Sequence, residues 1–170
     1  MSNIMGLLRR SENSGWPQLL ARLVFGAVMI YFALPKIAEP LDFLKEIRNY
    51  HILPEDPAIL LNLVAVCLPW FELIGSLALI LGLARRGVGV LFTVLMIAFT
   101  AMVLYRATVI HGDIGGAFCD IKFDCGCGRG EVYICHKVLE NLGLLLLAAY
   151  CFLSRSNKLS LATLWKHKTD

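Results

Sequence analysis

The run VGVLFTVLMIAFTAMVLY, residues 88–105, carries no charged side chain. A helix needs about 20 mostly apolar residues to cross a bilayer, and this stretch comes close to that length with no polar stripe at helical spacing. A helix apolar on nearly every face has no side to turn towards water. Three further stretches share the character. Leu19–Leu34 is interrupted only by Arg22 and extends to about Lys36, Ala58–Leu83 holds the single charge Glu72, and a fourth runs to Leu153 from between Val132 and Val138, with Glu140 its one acid inside the apolar part. The sequence predicts an all-α membrane protein, a four-transmembrane-helix bundle with a cysteine-rich extracytoplasmic loop.

Composition supports this. Of the 170 residues, 58% are hydrophobic and 17% charged, with a mean hydropathy of +0.68. A domain of this size cannot enclose so much apolar surface within itself, so a soluble enzyme domain is excluded, and lipid takes the remainder. The same apolar content excludes disorder. A net charge of +3, scattered along the chain, gives no argument for nucleic acid.

The approximate spans 18–37, 58–83, 87–106 and 134–154 form one domain, residues 18–154, between an N-terminal tail (1–17) and a basic amphipathic tail (155–170). Arg9, Arg10, Arg85, Arg86, Arg155, Lys158, Lys166 and Lys168 all fall on one side of this topology, whereas the two longer connections hold Glu39, Asp42, Glu55, Asp56, Asp113, Asp120 and Asp124. Positive charge marks the cytoplasmic side, so both tails are expected there and both longer loops outside. Phe43, Leu44 and Ile47, between Pro40 and Pro54, predict a short helix on the outer surface. Gly26 with Ala33, and Gly75 with Gly82, are read as marks of close helix packing.

Topology also sorts the cysteines. Cys119, Cys125, Cys127 and Cys135 fall in or beside the second outer loop, while Cys67 and Cys151 lie at different depths in the spans, too far apart to pair, and read as small buried residues. On the oxidising side of a membrane, disulfides persist. Closing a bridge across Cys125-Gly126-Cys127 needs the backbone freedom of glycine, and a strained bridge is readily passed on. Lys122, Arg129, His136 and Lys137 are basic neighbours that favour a thiolate. Cys125 and Cys127 are therefore the candidate exchanging pair, with Cys119 and Cys135 as a second pair, although four cysteines allow three connectivities. Two rivals stand beside this reading: static bridges in a non-catalytic assembly factor, and a soft-metal site using the thiolates with His111 and His136.

Glu72 lies near mid-depth, where an unpaired carboxylate costs about 2.5 to 3.5 kcal/mol even on the mildest scale. Lys36 and Arg22 are its candidate partners. It follows Pro69, Trp70 and Phe71, and the sequence leaves two readings open: a kinked helix whose Glu bonds a neighbour, or an apolar pocket in which Trp70, Phe71 and Glu72 receive a quinone ring. Asn141 is expected to hydrogen-bond across helices.

Several of these elements, in order over residues 18–153, resemble one family. Arg22 with Gly26, Lys36 followed by Pro40 and Phe43, Tyr50-x-x-Leu53-Pro54, Pro69-x-x-Glu72-x-x-Gly75, Cys125-Gly-Cys127-Gly and Asn141 are similar to the methylamine-utilisation MauE family, within the DoxX-like membrane proteins. The family's Cys-Gly-Cys-Phe-Gly pattern is met here as Cys-Gly-Cys-Gly, and Cys119 and Cys135 stand outside it. The resemblance implies a four-span protein of the bacterial inner membrane tied to periplasmic thiol oxidation or disulfide delivery. MauE is named for maturation of the disulfide-rich small subunit of methylamine dehydrogenase, and DoxX relatives are tied to sulfur compounds and quinone. The expected function is a thiol-disulfide or thiol:quinone oxidoreductase. Its expected partner is a periplasmic thioredoxin-like or disulfide-rich protein, with no resident metal.

Overall fold

The computed structural model describes residues 15–50, 56, 58–124 and 130–154. Four helices in it are long and apolar enough to cross a membrane: α1 (Trp16–Ala38), α3 (Ala58–Leu81), α4 (Arg85–Ile114) and α5 (Ile134–Leu153). The short helix α2 (Pro40–Asn49) lies between the first two, where the amphipathic pattern and the flanking prolines place one. Leu23, Leu63, Val66, Ile74, Val94, Ile97 and Leu146 all stand exposed on the outside of the bundle, a surface that only lipid satisfies. The protein is a multi-pass, all-α membrane protein.

α1 packs chiefly on α3 and α4 chiefly on α5, and α1 against α5 joins the two pairs. A Cβ on Gly26 would stand 2.5 Å from Ile80 and 3.2 Å from the Ser76 carbonyl, so α1 and α3 meet there at close range. Gly75 accommodates the ring of Phe92 in the same way. Gly82 serves a different end from the packing expected of it: with φ of 76° it stops α3, its amide donating to the Leu79 carbonyl while Leu83 N–H donates to Ala78. The central core joins Phe25, Met29 and Phe32 to Leu79, Phe92, Met96, Leu144 and Ala148.

The third span outruns its apolar stretch. Charges from Arg106 onward end the hydropathy signal, but nothing there stops a helix until Gly115 and Gly116, both at positive φ, so α4 continues to Ile114. Beyond it, a 3-10 turn at Phe118–Asp120 and a two-stranded antiparallel ribbon, β1 (Lys122–Asp124) with β2 (Glu131–Tyr133), lead into α5. Ile121, Phe123 and Ile134 seat this ribbon on Val103 and Ala107 of α4, and Tyr50 packs its ring edge against Phe123. The loop side of the molecule is thereby one packed cap over α4 and α5.

Candidate functional site

The space beneath α2 follows from a mismatch in helix length. Gly26 lies opposite Ser76 and Ile80, so counting antiparallel from that point puts the end of α1 beside residue 66 or so, and about 12 Å of α3 stands beyond it. α2 crosses the gap, buries Phe43 and packs on α3, yet does not fill the volume below. A cavity of about 120 Å³ remains, roofed by Phe43, Glu46, Ile47 and Tyr50 and walled by Met29, Phe32, Val64, Leu68, Met96, Phe99, Met102, Val103 and Leu144. Lys36, Glu72, Lys137 and Asn141, with Glu46 of the roof, supply its polar surface.

The Lys36 ammonium donates to both carboxylate oxygens of Glu72, at 2.9 and 3.1 Å, and both side chains are buried. Of the two candidate partners, Lys36 is the one that meets Glu72. The ammonium also sits 5.0 Å from the centre of the Phe43 ring and 5.5 Å from that of Phe99, a favourable place for a cation out of water. Pairing in this form makes a carboxylate tolerable at lipid depth. Lys137 belongs to the same interior. It is buried over the Phe32 ring at 4.8 Å and lies 3.4 Å from Glu140, while Lys122 lies on the Tyr133 ring. Both lysines named in the sequence as thiolate-stabilising groups thus rest on aromatic rings.

Trp70 and Phe71 do not join Glu72 around this space. They are 49% and 62% exposed on the lipid-facing side of α3, whereas Glu72 is fully buried. Successive helix residues turn by about 100°, so three in a row cannot all face one pocket. Asn141 also departs from expectation. It is 5% exposed and lines the cavity, and its amide makes no hydrogen bond among the described residues.

Cys119 and Cys135 form a disulfide, with Cα atoms 5.1 Å apart. The bridge ties the 3-10 turn to the first turn of α5, leaving Cys119 exposed and Cys135 half-buried. Two of the four sulfurs that a thiolate metal site would draw on are committed to each other. Cys67 and Cys151 are free thiols, as their depths required. The other candidate pair, Cys125 and Cys127, lies outside the described residues. The residues on either side of that segment, Asp124 and Gly130, line an outer groove together with Glu39, Asp42 and the Lys36, Phe43 and Glu46 that also border the cavity. Partial burial and the neighbouring Asp124 raise the Glu46 carboxyl above the ordinary carboxylate range. Lys45, on the outer face of α2, pairs with Asp42 at 2.6 Å.

The model of the family of methylamine utilisation protein MauE matches residues 14–154. The chain belongs to the MauE family. That match takes in all four spans, the α2 cap and the sulfur-bearing loop of this MauE-family protein. No match was found among curated proteins or among solved structures.

Of the cavity's polar groups, sequence reasoning singled out Glu72 and Lys36 but not Glu46, and it assigned Lys137 and Asn141 other roles. Lys137 and Asn141 are four apart on α5 and so share a face, a spacing visible in the sequence; that this face turns inward below α2 was not.

Proposed function

We propose that this MauE-family protein is a thiol-disulfide redox protein of the bacterial inner membrane, with both termini cytoplasmic and the sulfur loop in the periplasm. The observation that carries the reading is the exposed Cys119–Cys135 bridge with Cys135 in the first turn of a membrane helix. Thiol-disulfide exchange proceeds by attack of a thiolate on one sulfur and departure of the other. A helix N-terminus stabilises a departing thiolate, so attack at the exposed Cys119 releases Cys135 as the better leaving group. A disulfide at this place fits an oxidising compartment, in agreement with the basic residues expected on the opposite side.

In this scheme a partner dithiol, of a disulfide-rich or thioredoxin-like protein, exchanges with a Cys125–Cys127 disulfide. The partner gains an S–S bond, and its two electrons and two protons pass to Cys125 and Cys127 as thiols. The same exchange with Cys119–Cys135 restores the first bridge and leaves the second reduced. A membrane quinone would accept two electrons and two protons at its ring oxygens, closing the cycle. A role in methylamine utilisation follows from the family and makes the methylamine dehydrogenase small subunit the first partner to try.

The test is to trap thiols with a mass-tagged maleimide in intact membranes, before and after adding a reduced dithiol peptide and then a short-tailed benzoquinone. The loop cysteines are expected to become reactive with the peptide and protected again with the quinone. Loop sulfurs held in one state through both additions would refute the redox reading and leave the bridge as a static staple.

A further inference from the structure

We propose that the cavity beneath α2 is the binding site for the ring of a quinone, and that the Asn141 side-chain amide is the group that recognises a ring carbonyl. The inference rests on the redox reading for its choice of ligand, but the site is argued from its walls. Its volume of about 120 Å³ is of the order of the roughly 150 Å³ engineered cavity that accepts benzene, so it matches one ring and not a polyprenyl tail. An apolar void of that size stays empty at a cost in lost contacts, and polar groups aimed into it incur a further penalty.

Asn141 supplies the second, independent observation. A buried amide offers two donors and an acceptor and normally finds partners; this one is 5% exposed, faces the cavity and has none among the described residues. Leucine at this position would serve the core better unless something inside accepts the bond. Lys36, also in the lining, adds a donor from α1, since an ammonium has three hydrogens and Glu72 takes two. Phe32, Phe43, Phe99 and Tyr50 provide flat apolar surface in the same lining. A ring bearing two carbonyls offers acceptors to these donors, whereas a hydrocarbon ring offers none. Trp70 and Phe71, which face lipid, take no part.

The full chain in lipid nanodiscs, photolabelled with an azido-benzoquinone and mapped by mass spectrometry, decides the matter. Label is expected on α4 around Phe99–Val103 and on α5 around Lys137–Leu144. A short-tailed benzoquinone should compete at least tenfold more effectively than an alkylbenzene of the same tail. Asn141→Leu should remove that preference without lowering the Tm, because the amide has no bond to lose. Met102→Trp, which fills the space from another wall, should abolish the label and guards against an Asn141 variant that fails to fold. Label confined to outward residues such as Trp70 and Phe71, or competition unchanged by Asn141→Leu, would overturn the site. Thiol trapping reports separately. Sulfurs that cycle without label in the cavity sink this inference alone, and label in the cavity with inert sulfurs sinks the redox reading and leaves the site standing.

Discussion

The two ends of the bundle bury charge in opposite ways. On the loop side, Lys36 and Glu72 neutralise each other beside an open space. On the terminal side, Gln18, Arg22, Arg85 and Ser154 are buried, and the Arg85 guanidinium donates to the Ser154 carbonyl at 2.6 Å, holding the end of α5 against the start of α4. Gly26 and Gly89 bring backbones together in that half; a Cβ on Gly89 would stand 3.1 Å from the Phe152 backbone. The terminal half is built as a clamp. The loop half holds the cavity, and Lys36, Glu46, Glu72, Lys137 and Asn141 line it.

The sharpest way to break this contrast is Glu72→Leu. It strands the Lys36 ammonium in an apolar interior and is expected to cost about 3–5 kcal/mol in mixed-micelle unfolding, whereas Lys36→Met combined with Glu72→Leu should recover most of that loss. On the other side, Arg85→Ala removes a charged hydrogen bond worth about 1.5–3 kcal/mol, and hydrogen exchange should show the last turn of α5 fraying. Volume changes should carry opposite signs in the two halves. Gly26→Ala drives a methyl into Ile80 and should destabilise by about 1–3 kcal/mol. Val64→Leu, on the cavity wall, should be neutral or stabilise by up to about 2 kcal/mol in the same unfolding assay.

The smallest effect is one of pH. The folded state holds the Glu46 proton more tightly than the unfolded chain does, so the stability this group contributes is present in acid and is lost as pH rises through its raised pKa. Asp124→Asn removes part of the cause, and unfolding curves at pH 4 and pH 7 should show it helping only at the higher value.

The spans were legible because an apolar run of bilayer length has few other uses, and the proline-bounded pattern of Phe43, Leu44 and Ile47 was enough to place α2. The end of α4 was hidden, since charge marks where lipid stops and not where a helix does. Glu72 could be flagged and its two candidate partners named, but choosing Lys36 over Arg22 needed the antiparallel register set by Gly26. The cavity was not readable at all: it depends on α1 ending short of α3, and its walls come from five helices. Trp70 and Phe71 illustrate the cost of judging a site by adjacency in the chain when helices sort neighbours to different faces.

The bridge between Cys119 and Cys135 makes the chain between them a covalent ring, with a sequence separation of 16 and the Cys125–Cys127 motif inside it. A protease that cuts once within that ring leaves both fragments joined until a reductant separates them. A single cut there is therefore silent on a non-reducing gel and visible on a reducing one. The same pair of lanes, run after digestion of sealed right-side-out and inverted vesicles, reports which face of the membrane the ring occupies.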